Sequence, residues 1–451
     1  MATSQAVQEQ LSSLLSRIQD ARARTDALFQ LLPPNSFYDR PIPERHRLIF
    51  YLGHLETFDW NLLSGPLGLE PFNTEFDKLF AFGIDPVGGG LPNDVPADWP
   101  GIAQIEKYSG LIRAQIDERI RNSWGAHETL LHVAIEHRLM HAETLAYLLH
   151  NLPLERKNSP SLAATDSQPA GSRASAVPPP KPRQVEIPDG TATLGQTRDG
   201  IHSFGWDNEF EEQRTVVPRF SIGAYPVTNS EYLKFVQAGG YQDSNFWTPE
   251  NWEWRRQHQL EHPHFWIPRS SASPTDPDKQ WDYRAMFGII PLPLSWPVYV
   301  SHAEAFAFAR WAGRKLPTEA QWHRAAYGTA GEIERTYPWG NEHPSESRGN
   351  FHNQRWDASP VDAHPAGASA FGVVDLLGNG WEWTSTVFAP LPGFKPFPFY
   401  PGYSADFFDG KHFVMKGGSP RTDACMLRRS FRNWFQPRYS YVYATFRCVE
   451  E

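Results

Sequence analysis

The sequence predicts an α+β fold, in which an N-terminal four-helix bundle precedes an irregular second domain rich in tryptophan and glycine. Apolar residues recur at helical spacing up to about residue 157, and this spacing fades after about residue 184. The 451 residues include 17 Trp, 40 Pro and 33 Gly. This composition is typical of a loop-rich domain, so we expect the two halves to fold differently.

Four segments predict the helices of the bundle. They span residues 11–32, 42–63, 105–124 and 126–152. Each carries apolar residues along one helical face, and four such faces bury one another in a bundle. Pro43 and Glu44 predict the start of the second helix. The Pro- and Gly-rich break from Gly65 to Pro100 is expected to be an extended loop.

A change in composition separates the bundle from the rest of the chain. Ser, Ala and Pro dominate residues 158–183, where almost no large apolar side chain occurs. Such a segment cannot bury a core, so we expect a mobile linker. The predicted divisions are a bundle at 1–157, the linker, and a second domain at 184–451. Within that domain we expect strands at 220–228, 297–301 and 412–419 and helices at 229–240 and 301–328.

Charge and composition exclude several classes of function. The 42 Lys and Arg against 51 Asp and Glu give a net charge of −9. This charge argues against a nucleic-acid partner bound through an overall basic field, although a local basic patch stays open. Apolar runs are too short for a membrane span, so no membrane partner is expected. The N-terminus lacks a signal pattern, which predicts a cytoplasmic location. Cys425 and Cys448 are too few for a disulfide framework or a cysteine-rich zinc site.

A histidine pair on the fourth predicted helix is the strongest chemical signal in the first half. His137 and His141 lie at i and i+4, so both imidazoles can reach one metal ion. His54 sits within the second helix among apolar residues and is the candidate third ligand. Two solvated or core histidines remain the alternative. Ligand type alone leaves Zn, Fe, Cu and Ni open.

Other polar residues of the fourth helix have weaker claims. Glu143 could bind the metal or orient a ligand histidine through a hydrogen bond. The remaining histidines of this helix lie off the His137 and His141 face, and we interpret them as structural. These are His127, His132 and His150.

Several motifs then indicate a family. In the second half, PVT with EY, LPTEAQW, YPWGN, FGVVDLLGNGWEWT and GGS followed by FR resemble the FGE-sulfatase domain, a fold related to C-type-lectin-like modules. The bundle with its three histidines resembles the DinB-like domain. In this order the two resemble the EgtB-like non-heme iron synthases, which include the selenoneine synthase (SenA) branch.

The resemblance implies a metal, a reaction and substrates. It implies one Fe(II) held by His54, His137 and His141, with O2 as co-substrate. The implied reaction joins sulfur or selenium from a small donor to C2 of the imidazole of hercynine, which is trimethyl-histidine. The second domain is expected to close over the iron and complete the substrate pocket.

The resemblance also implies roles for four residues of the second domain. Asn433 and Trp434 match the pair that holds the trimethylammonium and carboxylate end of hercynine, and an aromatic face suits a quaternary ammonium. Tyr400 and Tyr403 match the spacing of a catalytic tyrosine, which can supply a proton and an electron. We favour Tyr400 in that role. Packing is the alternative for all four residues.

Departures from the family pattern bear on the donor. Met140 stands where many relatives have Gln. Phe435 and Tyr439 stand where the version that uses γ-glutamylcysteine has Asp and Arg, although the adjacent Arg438 could compensate. A less charged donor is therefore expected, and we favour a selenoneine synthase with a selenosugar donor. The alternative is a hercynine sulfoxide synthase of ergothioneine biosynthesis with cysteine or γ-glutamylcysteine as donor.

Two alternatives come from other functional classes. A formylglycine-generating oxidase would need a reactive cysteine pair, but Cys448 lies in the terminal FRCV segment, where a structural role is expected. A non-catalytic binding protein is the other alternative. The set of three histidines argues against it.

Overall fold

The computed structural model describes residues 2–81, 92–122, 128–160, 177–198, 204–269, 280–331 and 333–451. Its contacts divide the chain into a unit at Met1–Thr165 and a unit at Asp166–Glu451. The first unit is helical and the second mixes strands with short helices. Most of the predicted linker, residues 161–176, lies outside the described residues, as does His127.

Helices form in all four predicted segments of the first unit. They are α1 (Ala2–Phe29), α2 (Leu48–Leu63), α4 (Ile102–Asn122) and α5 (Glu128–Asn151). The side chains along α2 and α5 are mostly buried on all sides. These two helices therefore form the centre of the unit, where α5 packs against α1 and α2, and α2 also packs against α4.

Two predictions for the first unit were wrong. The second helix begins at Leu48 with Arg47 at its N-cap, five residues after Pro43. The preceding residues form turns instead of a first helical turn. The break after Gly65 is not one extended loop, since it contains the helix α3 (Thr74–Leu79). Asn73 caps α3 by accepting the main-chain N–H of Phe76, which the abundance of Pro and Gly nearby had obscured.

Within the described residues of the second unit, the strands form four small sheets. The largest has the strand order β10-β9-β8-β11, and the others are β1-β4-β12, β5-β6-β7 and β2-β3. The strands are β1 (Gln184–Ile187), β2 (Gly190–Leu194), β3 (Gln213–Val217), β4 (Phe220–Gly223), β5 (Trp266–Pro268), β6 (Trp281–Ala285), β7 (Gly288–Pro291), β8 (Gly380–Val387), β9 (Phe413–Gly418), β10 (Asn433–Phe435), β11 (Ala444–Thr445) and β12 (Val449–Glu450). The α+β class predicted from the sequence is confirmed.

Short helices connect these sheets. They are α6 (Asn229–Gln237), α7 (Pro249–Gln257), α8 (His302–Trp311), α9 (Glu319–Tyr327) and α10 (Gly402–Ala405). The helix predicted at 301–328 is two helices, because Gly313 adopts a positive φ of 68° and Thr318 caps a new helix. The prediction of a strand at 297–301 is wrong. This segment makes one isolated bridge, and it donates main-chain hydrogen bonds to the carbonyls of Val227 and Ala444, which lie in different parts of the chain.

Candidate metal centre and aromatic site

Three buried histidines from two helices meet inside the first unit. α2 supplies His54, and α5 supplies His137 and His141. Each side chain offers a nitrogen within 4.8 Å of those offered by the other two. Among the described residues, this is the one group of three or more His, Cys, Asp or Glu that could hold a metal ion, and Glu143 is not part of it.

The protonation of the histidines suits metal binding. Burial lowers the pKa of His54 to about 4, despite the hydrogen bond to the Phe80 carbonyl, which opposes this shift. Burial also lowers the pKa of His137 and of His141 well below the usual value, and the other histidines add to the effect. All three imidazoles are therefore neutral near pH 7, which is the form that binds a metal ion.

The hydrogen bonds of the three rings leave donor atoms for an ion. Nδ1 of His54 lies 2.7 Å from the Phe80 carbonyl oxygen, so Nδ1 carries the proton and Nε2 keeps its lone pair. Neither ring nitrogen of His141, nor Nδ1 of His137, has a hydrogen-bond partner among the described residues. Buried polar atoms without partners are costly. Three neutral imidazoles in this arrangement fit a divalent transition metal.

Aromatic rings enclose the histidines. The ring of Phe58 stacks on that of His137, with centroids 3.4 Å apart, and Phe50 stacks on His54 at 4.7 Å. Tyr51 lies 5.8 Å from His141. Aromatic packing therefore covers part of the surface of each histidine ring. Met140, beside His141, is half-buried.

A buried ion-pair network lies beside the histidines on the same two helices. The Arg138 guanidinium donates to both carboxylate oxygens of Glu56, at 2.9 and 2.8 Å, and to Asp59 at 2.7 Å. Arg113 of α4 reaches Glu56 at 2.6 Å and Asp26 of α1 at 2.6 Å. The network therefore ties all four long helices together. The sequence pattern did not reveal this network, although charged residues within otherwise apolar helix faces were a usable signal.

The second unit brings most of its predicted site residues into one aromatic cluster. Trp434 on β10 stacks on Phe388, with ring centroids 4.1 Å apart and planes within 7°. Tyr403 meets Trp434 edge-on at 5.5 Å, and Tyr400 lies 5.5 Å from Tyr403. The side-chain oxygen of Asn433 accepts the main-chain N–H of Trp434 at 2.8 Å. The sequence missed Phe388 because its partner ring lies 46 residues away along the chain.

Electrostatics distinguish Tyr400 from an ordinary surface phenol. Burial, with the nearby carboxylates of Asp207 and Asp406, raises the pKa of Tyr400 to about 12. Its phenol is therefore protonated near pH 7 and is a weaker acid than an exposed tyrosine. Tyr403 stacks on the buried Trp206 at 3.9 Å, so packing also holds this ring.

The residues that the sequence predicts to bear on the donor lie at the end of β10 and just after it. The rings of Phe435 and Tyr439 stack with centroids 5.1 Å apart. Arg438 is exposed, and its Nε donates to the Asn251 side chain at 3.1 Å. An aromatic pair thus occupies these positions, and the nearby guanidinium is engaged by α7.

Comparison with known proteins identifies the family. The model of the sulfatase-modifying factor enzyme 1-like domain, FGE-sulfatase, matches residues 171–451. A hercynine oxygenase of Mycobacterium tuberculosis is 39% identical over 320 residues, which cover 70% of this chain and 70% of that protein. This chain belongs to the EgtB-like family. The family resemblance inferred from the motifs is thereby confirmed.

More distant similarities extend over other parts of this EgtB-like chain. Ergothioneine biosynthesis protein 1 of Neurospora crassa is 27% identical and covers 94% of the chain and 56% of its own length. The structure of PvdO from Pseudomonas aeruginosa covers 59% of the chain and 94% of its own, at 18% identity and a TM-score of 0.38. Within the described residues, no helix has the length and apolarity needed to cross a membrane.

Proposed function

We propose that this EgtB-like enzyme is a hercynine sulfoxide synthase, which uses O2 and a bound Fe(II) to join the sulfur of a thiol donor to C2 of the hercynine imidazole. The observation that carries the proposal is the buried group of His54, His137 and His141. It occurs in a chain 39% identical to a protein named hercynine oxygenase. Iron would be held by these histidines and would supply O2 activation.

A sulfur donor was the alternative expected from the sequence, and it replaces the selenoneine branch that the sequence favoured. The relatives carry the names hercynine oxygenase and ergothioneine biosynthesis protein, which fit a sulfur donor better. A selenosugar donor stays the second candidate because one observation favours it. Phe435 and Tyr439 form a stacked aromatic pair where a charged thiol donor would call for cationic groups.

Residues of the second unit would bind and orient the substrate. The face of Trp434 would attract the trimethylammonium group, a contact worth ~0.5–2 kcal/mol. Phe388 holds that ring in place by parallel stacking. Asn433 would bind the carboxylate of hercynine, and Tyr400 would donate a proton during O2 reduction. Tyr403 would hold Tyr400 and Trp434 in position, since its ring contacts both.

The two cysteines give little support to the alternative function, a formylglycine-generating oxidase. Burial raises the pKa of the Cys448 thiol to about 12, so this cysteine is not a thiolate at neutral pH. Cys425 is half-buried and is not in a disulfide. A pair of reactive thiols is therefore not supported by these two residues.

The test is anaerobic loading with Fe(II) and hercynine, followed by air and parallel donors, with products read by mass spectrometry. The donors are cysteine, γ-glutamylcysteine and a selenosugar. A sulfoxide adduct of hercynine from a thiol supports the proposal, and a selenium adduct formed only from the selenosugar supports the second candidate. No adduct from any donor refutes both. His137→Ala should abolish iron binding and turnover, and Asn433→Ala should chiefly raise KM for hercynine.

A further inference from the structure

The segment between α2 and α4 contacts the candidate metal centre through a main-chain atom. The carbonyl of Phe80, the residue that ends α3, accepts a hydrogen bond from Nδ1 of His54 at 2.7 Å. A carbonyl can only accept, so this bond fixes the tautomer in which Nε2 is the metal-binding atom. The histidine group consists of residues from α2 and α5, so this segment contributes to it through the main chain of Phe80 and not through a ligand side chain.

Gly53 is what allows Phe80 to come so close. A Cβ placed on Gly53 would lie 2.6 Å from three atoms of the Phe80 ring, a distance that real Cβ atoms do not reach. The ring cannot easily move away, because it is fully buried and contacts Phe76 at 5.6 Å and Trp99 at 5.9 Å. Glycine destabilises a helix interior, so its place beside a ligand histidine calls for an explanation.

We propose that Gly53 and Phe80 are positioning residues for the metal centre. Gly53 makes room for the Phe80 ring, the seated ring holds the end of α3 against α2, and the carbonyl of Phe80 orients His54. This inference rests on the proposed function, since it assumes that His54 binds the metal. It goes further by assigning to the 64–81 segment the control of one ligand's tautomer and direction.

Gly53→Ala tests the inference, and Gly110→Ala is its matched control. Gly110 lies on the exposed side of α4, and a Cβ there would meet nothing within 4 Å. The full chain, freed of metal, is titrated with Co(II), and the absorption of the bound ion is recorded. We expect Gly53→Ala to weaken Co(II) binding about 10- to 100-fold, as loss of a ligand's hydrogen-bond partner does. Unchanged affinity and spectrum in a folded variant would overturn the inference.

A compensating change separates positioning from general damage. In Gly53→Ala/Phe80→Leu the smaller side chain relieves the clash and the main-chain carbonyl can return to His54. We expect this double variant to regain affinity to within a few-fold of the Phe80→Leu single variant. If the double variant binds Co(II) no better than Gly53→Ala, the clash with Phe80 is not the cause and the inference fails. If Gly53→Ala does not fold, the comparison of the double variant with Phe80→Leu alone decides.

One further control keeps this inference distinct from the proposed function. His137→Ala in the otherwise natural chain should lose the Co(II) spectrum. If His137→Ala binds Co(II) as well as the natural chain does, the metal centre itself is wrongly assigned and both conclusions fall. If His137 is required while Gly53→Ala binds normally, only the positioning role is refuted.

Discussion

Replacing Arg138 by methionine should destabilise the first unit by about 3 kcal/mol. The guanidinium is 2% exposed and donates to Glu56, to Asp59 and to the Leu55 carbonyl at 3.0 Å. Methionine is shorter than arginine but close to it in volume, so the change removes the charge and leaves only a small cavity. What remains is a buried Asp59 carboxylate without its cation.

Two routes lead to that magnitude. Breaking a buried ion pair by removing one partner costs ~3–5 kcal/mol. Independently, burial alone would raise the pKa of Glu56, but Arg138 and then Arg113 outweigh it and lower the pKa from 4.5 to about 2. A displacement of that size corresponds to about 3 kcal/mol. Because Arg113 supplies part of the lowering of the Glu56 pKa and stays in place, the expected loss is the lower end of the range for a broken buried ion pair.

Hydrogen exchange of the full chain in increasing urea measures this loss locally, in peptides from α5. Arg156→Met is the matched control, since Arg156 and Asp39 form a more exposed pair, at 29% and 32% exposure. That variant should lose less than ~1 kcal/mol. The double variant Glu56→Gln/Arg138→Met should lose less than the sum of its parts. A loss for Arg138→Met as small as that of the control would refute the reasoning.

Three further predictions concern acid stability and the aromatic site. Because the pKa of Glu56 in the folded chain lies below its unfolded value, the contribution of Glu56 to stability is full above pH ~4.5 and is lost as the pH falls towards 2. Glu56→Gln should therefore flatten the fall in unfolding free energy over this window. Equal slopes of unfolding free energy against pH in the two proteins would contradict the shift. Trp434→Leu should raise KM for hercynine about 2- to 30-fold with kcat kept, and a change confined to the donor would count against the assigned contact. Tyr400→Phe should lower kcat ~100-fold or more, with Tyr403→Phe losing less, and the reverse order in single-turnover kinetics would exchange their roles.

Local spacing made the histidine group predictable. His137 and His141 are one helical turn apart, so their common face follows from helix geometry alone. His54 had to be paired with them across the bundle, and the structure brings its ring centroid within 5.4 Å of both. Its assignment depended on a polar ring among apolar neighbours, which is a weaker signal than a fixed spacing. The role of the three as ligands stays a prediction.

Contacts between distant parts of the chain were not predictable in the same way. Phe80 reaches His54 across 26 residues, and Arg138 reaches Glu56 across 82. Neither pair has a sequence spacing that a helix or a hairpin would produce. The helix α7 was missed for a local reason instead. Thr248 before Pro249 is a strong capping signal for α7. Few residues of this helix are buried, so apolar periodicity did not reveal it.

The ion pair and the histidines are best understood together. Glu56 follows His54 by two residues on α2, and Arg138 follows His137 directly on α5. A buried pair of this kind contributes little net stability compared with apolar side chains of the same volume, so stability alone does not account for it. Its directional bonds do penalise any sliding of α2 along α5, because a shift of one turn would separate Arg138 from both carboxylates. The same shift would carry His54 about 5 Å away from His137 and His141. The ion pair therefore opposes a change in the register that brings the three histidines together, so the stability of the bundle and the geometry of this histidine group depend on the same two helices.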